Sequence, residues 1–210
     1  MSHDATEDSV EREIRRSELA RRLILHRART QTIARFTGLT RNRLAALRLR
    51  LGVTDEARLR GPSPTSLDVF LHSDQAQSEA AALAALFALY ADKTLDSAAP
   101  SAGSPSELRH GEQLCEIYEA YLAYHPRTAV RLEEMMLLKR SLRIGETVSV
   151  GRCQGCAGLI LIDRLAQPRF TCWHCCLSRQ ATRKHGESNS GASPLMSAIV
   201  ASCSPNAPDG

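Results

Sequence analysis

The sequence predicts a mainly α-helical protein that changes character after Gly145 into a small cysteine-rich module with short β-strands. Three observations predict it. Aromatic residues make up only 4% of the chain while Leu, Ala and Arg abound, a composition that favours helices over a sandwich or barrel. Apolar residues recur at helical spacing in several segments before Gly145. Five of the seven cysteines fall between residues 153 and 176, among β-prone pieces. With 210 residues at 43% apolar content the chain can bury a core unaided, so a bound metal would serve a local need.

Residues 1–11 are acidic and expected to be flexible. From Val10 to Arg29, Ile14, Leu19, Leu23 and Ile24 mark one side of a helix, with arginines over the rest. Next come Thr32 to Phe36, a turn at Thr37-Gly38-Leu39, and a second helix from Thr40 to Leu51 that Thr40 caps and Gly52 stops. These read as helix, turn, helix. Gly61-Pro62-Ser63-Pro64 breaks the chain. A helix follows to about Lys93, started by Asp74 with Gln77 or by Ser73, and packed through Leu83, Leu86, Phe87, Leu89 and Tyr90.

The small, polar, proline-bearing stretch 96–105 predicts a mobile loop. Two helices, about 106–124 and 126–142, are separated by His125-Pro126 and closed by Gly145. Their apolar residues are dense: Leu114, Cys115, Ile117, Tyr118, Tyr121 and Leu122 on the first, Val130, Met135, Met136, Leu138 and Leu142 on the second. Strands are expected at 147–150, 159–162 and 169–171. The Ser, Ala, Gly and Pro content of 185–210 predicts a disordered tail.

The net charge of +4 hides a division. Residues 1–11 carry −4, while 12–60 hold fourteen Arg against four acids, or +10. Residues 61–134 carry −7 and 135–210 carry +5. Basic ends around an acidic middle suggest a polyanion touched at both ends, for which nucleic acid is the obvious candidate. No apolar run is long enough to span a bilayer, and the start MSHDATEDSVE lacks the features of a signal peptide, so a cytoplasmic location and no membrane partner are expected. Cysteines in a reducing compartment point to metal rather than to a disulfide framework.

Cys153-Gln-Gly-Cys156 and Cys172-Trp-His-Cys175 are two C-x2-C pairs separated by fifteen residues, the spacing of a four-cysteine zinc site. Such a turn aims two sulfurs at one ion, and Gly155 and Gly158 relieve crowding around it. A redox C-x2-C would want a βαβ pattern that is absent here. Cys176 and His174 flank Cys175, which keeps the paired spacing. Four protein ligands leave no position for water or substrate, so one structural Zn2+ per chain and no enzymatic activity are expected. Four thiolates and one divalent ion carry −2, which lowers the +5 of this end to about +3. Cys115, among helix-core residues, and Cys203, in the tail, read as bystanders.

The turn segment TIARFTGLTRNRLAALRLRL resembles a DNA-binding helix-turn-helix, with Ala34 small at the crossing and Leu39, Leu44 and Leu47 apolar. Thr37 departs from the pattern, which usually has an apolar residue there. The second helix offers Arg41, Asn42, Arg43, Arg48 and Arg50 to phosphates and base edges. Arg179, Arg183 and Lys184 follow the cysteines as a second phosphate contact or a solubilising run. The plainer alternative is an arginine-rich solvated face, or a helical hairpin that packs on another subunit.

Over residues 14–184 the order of features resembles FlhC, the DNA-binding subunit of a bacterial flagellar transcriptional activator. The stretches that carry the resemblance are LILHRARTQTIARFTGLTRNRLAALRLRLG, GPSPTSLDVF, LCEIYEAYLAYHP, RLEEMMLLKRSLRIG, and CQGC with CWHC. The resemblance implies zinc on Cys153, Cys156, Cys172 and Cys175, a hetero-oligomer with a small helical FlhD-type subunit on flagellar promoter DNA, and recruitment of RNA polymerase. The linker 98–105 looks longer than in that family, and the tail need not correspond to anything in it. The expected organisation is thus a helical DNA- and partner-binding domain at 12–145, a four-cysteine zinc module at 146–184 and the tail. The rival is a zinc-ribbon adaptor that binds only protein.

Overall fold

The computed structural model describes residues 9–53, 61–90, 101–166 and 169–178. The protein is mainly helical, with a two-stranded sheet in its cysteine-rich part. It divides into two compact units, Met1–Thr65 with Leu89–Met136, and Ser66–Ala88 with Leu137–Gly210. No helix among the described residues is long and apolar enough to cross a membrane.

The first unit is built on α1 (Ser9–Leu25), α2 (Thr30–Thr37), α3 (Arg41–Arg50) and α6 (Pro105–Tyr124). Leu19, Leu23 and Ile24 bury one side of α1, whereas Ile14, expected on the same side, is 63% exposed. Gly38 ends α2 at φ +69°, and Thr40 caps α3 by accepting the Arg43 N–H. Thr37, the departure from the apolar pattern, is fully buried: its hydroxyl donates to the Ile33 carbonyl at 2.7 Å and accepts the Leu39 N–H at 3.2 Å. A polar residue thereby satisfies the turn from inside.

Ser104 caps α6 and Pro105 occupies its first turn. The helix lies against α1 and α2 at Gly111, where an added Cβ would come within 2.7 Å of Leu19 and 2.9 Å of Phe36. Only part of the expected loop 96–105 is described, and its end is held. The Gly103 N–H donates to the Arg35 carbonyl at 2.8 Å, and the Gly103 carbonyl accepts from Arg16 at 2.7 Å. A Cβ at Gly103 would meet the Gly38 Cα at 2.6 Å, so this bare-backbone contact with the turn tolerates no side chain.

The expected helix from Pro126 begins later, as α7 (Leu132–Ile144). Side chains take over the intervening backbone. Thr128 Oγ accepts the Val130 N–H, Tyr118 donates to the Val130 carbonyl, and Glu134 accepts the Arg131 N–H as a cap. In the second unit, the short α4 (Asp68–Leu71) precedes α5 (Asp74–Leu89). Ser73 rather than Asp74 is the cap, its Oγ accepting the Ala76 N–H at 3.2 Å. Leu83 is buried, but Leu89 and Tyr90, expected in the core, are exposed.

Strands β1 (Val148–Arg152) and β2 (Leu159–Asp163) pair antiparallel, Val150 opposite Leu161, with Val148, Ile160 and Leu161 buried. The third strand expected at 169–171 is absent. The Phe170 carbonyl instead accepts the Gln154 N–H at 2.8 Å, and Arg169 pairs with Asp74 of α5 at 3.1 Å. That stretch docks the two cysteine pairs together without forming a ladder.

Candidate metal centre and helix-turn-helix face

The β1–β2 hairpin carries the first cysteine pair in its connection, and the second straddles the start of a helical segment at 173–178, Cys172 just before it and Cys175 within it. Cys153 closes the first turn: its carbonyl accepts the Ala157 N–H at 2.8 Å, and its own N–H donates to the Gly158 carbonyl at 2.8 Å. Ala157 lies at φ 58°, an uncommon conformation for a residue with a Cβ. Gly155 has to be bare, since a Cβ there would stand 2.9 Å from the Cys175 sulfur.

The turns bring the sulfurs of Cys153, Cys156, Cys172 and Cys175 within 4.8 Å of one another. Sulfurs held about 2.3 Å from one tetrahedral ion would lie about 3.8 Å apart. The Cys156 and Cys172 sulfurs are 3.7 Å apart, so the set fits a metal. Backbone N–H groups point at the sulfurs as thiolates require: Gly155 and Cys172 donate to Cys153 at 3.3 and 3.2 Å, and Cys175 donates to Cys172 at 3.5 Å.

Burial would raise the Cys153 thiol, but N–H groups of Cys172, Gly155 and Cys156 overcome it and bring its pKa down to about 6. Cys175, in contact with the Cys172 and Cys156 thiols, is pushed up to about 12, and burial raises Cys172. One thiolate forms readily in this cluster, and a cation is what lets the others follow. Cys176 is buried, is not among the free thiols and lies outside the group, so Cys175 completes it. Burial pushes Cys115 up to about 12, which makes it an inert core thiol. Cys203 lies outside the described residues.

On α3 the sequence candidates separate. Arg41, Asn42, Arg43 and Arg50 are exposed, but Arg48 is 9% exposed and does not belong to the outer face. It stands four residues after Leu44, which is fully buried, so the helical phase turns it inward while Leu49 is 82% exposed. Arg43 forms an ion pair with Glu13 of α1. Arg179, Arg183 and Lys184 lie outside the described residues.

Acids placed far along the chain meet the basic stretch. Glu112 of α6 holds Arg15 through two hydrogen bonds of 3.0 and 2.7 Å, and Glu119 holds Arg22 through two of 3.0 and 2.8 Å. His26 contacts Glu119 at 2.9 Å. Glu107, 2% exposed, takes Arg35 at 3.2 and 3.0 Å. Glu133 of α7 accepts the Arg29 N–H at 2.9 Å and the Thr32 hydroxyl at 2.7 Å, capping α2 from outside. The acidic segment therefore neutralises part of the basic one. Arg16 bonds a backbone carbonyl rather than an acid, and Arg27, Arg41 and Arg50 are likewise left without an acid partner among the described residues. The Ser104-x-x-Glu107 spacing is the signal that marks Glu107 in the sequence, although its carboxylate serves Arg35.

Compared with known proteins, the chain matches no protein-family model and no curated protein.

Proposed function

We propose that this protein is a non-catalytic, cytoplasmic DNA-binding subunit of an FlhC-type transcription activator, acting with an FlhD-type partner and RNA polymerase at bacterial flagellar promoters. The observation that carries the reading is the first turn of α3. Gly38 and the Thr40 cap set Arg41 and Asn42 outward at the start of a helix that packs against α2 and α1. Arg and Asn there suit guanine and adenine edges, each good bidentate pair being worth about 1–3 kcal/mol of discrimination.

In this reading Cys153, Cys156, Cys172 and Cys175 hold one structural Zn2+, which cross-links the hairpin to the segment at 173–178. The closed donor set gives it no substrate position.

A second reading, a zinc-ribbon adaptor that meets only protein, draws support from the pairing of Arg15, Arg22 and Arg35 with α6. Fewer arginines then remain for phosphates than the segment charge suggests. Gel shifts on flagellar promoter DNA across a salt series, using the full zinc-loaded chain with its partner, separate the two. The activator reading expects a shift that weakens steeply with salt, and a loss of about tenfold or more with Arg41→Ala plus Asn42→Ala. Retention unchanged by that double substitution would remove α3 as the reading helix; no shift at any salt favours the adaptor.

A further inference from the structure

The first turn of α3 offers three polar side chains, and only one of them is tethered. Arg41 and Asn42 are exposed, without a side-chain partner among the described residues. Arg43 is paired through its guanidinium to the carboxylate of Glu13, thirty residues earlier on α1. Both ends of this tether stand on regular structure. Glu13 lies within continuous α1, and the Arg43 N–H donates to the Thr40 cap at 3.4 Å.

The paired side chains are 56% and 41% exposed, so the contact adds little to folding. Its electrostatic consequence is larger. A carboxylate at the start of this helix repels a nearby phosphate and occupies a guanidinium that would otherwise bind any phosphate.

We propose that Glu13 is a specificity-determining residue that restrains Arg43 from phosphates on random sequence and releases it to a correctly placed acceptor in the docked complex. This rests on the DNA-binding reading above. Random duplex offers Arg43 a phosphate and nothing more, so pairing with Glu13 competes effectively there. A docked promoter adds the contacts of Arg41 and Asn42, which position an acceptor for Arg43 and outweigh the tether.

The test uses the full zinc-loaded chain with its partner subunit, and compares promoter duplex with a scrambled duplex of equal length and composition over a salt series. Glu13→Gln is isosteric at a half-exposed position. It is expected to tighten binding to the scrambled duplex by about 3- to 10-fold at low salt, to steepen its log–log salt slope by about one, and to tighten promoter binding less. In an Arg43→Gln background most of that gain should vanish. Three results overturn the proposal: Glu13→Gln leaves both affinities unchanged, weakens both alike as a structural tether would, or has the same effect with and without Arg43. A wild-type complex that fails to shift the promoter duplex marks failure of the DNA-binding reading itself, and the role of Glu13 falls with it.

Discussion

Glu119 shows how a single carboxylate ties α1 and the turn after it to α6. Burial alone would raise its pKa, but hydrogen bonds from Arg22 and His26 outweigh that and hold it below the ordinary 4.5. A carboxyl lowered on folding stabilises the folded state above its unfolded value, and that contribution disappears as pH falls through the lower folded value. Glu119→Gln is therefore expected to cost about 1 kcal/mol at neutral pH, a modest figure because the carboxylate is partly solvated. The gap from wild type should narrow below the ordinary carboxyl range and close in strong acid. Urea titrations of both proteins across that range check it; a gap that is flat with pH would mean the pair contributes only packing.

At the scale of elements, α2 and α3 gain their N-terminal caps in different ways, and this separates what the sequence shows from what it hides. Thr40 caps α3 from the adjacent residue, so the start was legible, as were Gly38 and Gly52 at the two ends. The cap of α2 is Glu133, about a hundred residues away, and no local pattern announces it. Glu133→Ala is expected to lose about 1–3 kcal/mol, because a partly buried N–H and a buried hydroxyl lose their acceptor. Thr40→Ala at an exposed cap should lose about 1 kcal/mol or less. Chemical denaturation of the two variants compares them directly, and a larger cost at Thr40 would contradict the assignment. Long-range partner choice explains the other surprises too. The helical period that places Leu44 inside also carries Arg48 inward, but charge alone had placed that arginine outside. The β-prone residues 169–171 gave no strand because their nearest backbone partner is the Gln154 N–H rather than an open strand edge. The cysteine site was legible nearly whole, since paired spacing is a local constraint on where sulfurs can point.

For the whole molecule, the division into two units gives metal removal a localised meaning. The four sulfurs are shared between the hairpin and the start of the helix at 173–178, so a bound metal would cross-link these parts of the second unit, while Leu19, Phe36, Leu114 and Tyr121 bury the first without it. Chelation is expected to abolish amide protection at 148–163 and to leave that at 108–121 in place, as read by hydrogen exchange. Metal analysis should find one zinc per chain in wild type and in Cys176→Ala, and a large loss in Cys175→Ser. Loss of protection throughout both units on chelation would show that the metal supports more than its own unit.

The carboxylates on α6 also decide how the protein can be dissected. Residues 1–60 alone hold fourteen bases and eight acids, and a fragment ending there leaves Glu107, Glu112 and Glu119 behind. Arg15, Arg22 and Arg35 would then lose those carboxylates, and the apolar face over Gly111 would be open. Such a fragment would adhere to heparin, RNA and DNA alike, and part of its retention on a nucleic-acid column would be created by the truncation. A deletion map drawn from short N-terminal pieces would therefore credit the arginine-rich segment with an avidity that the intact chain has already spent on itself.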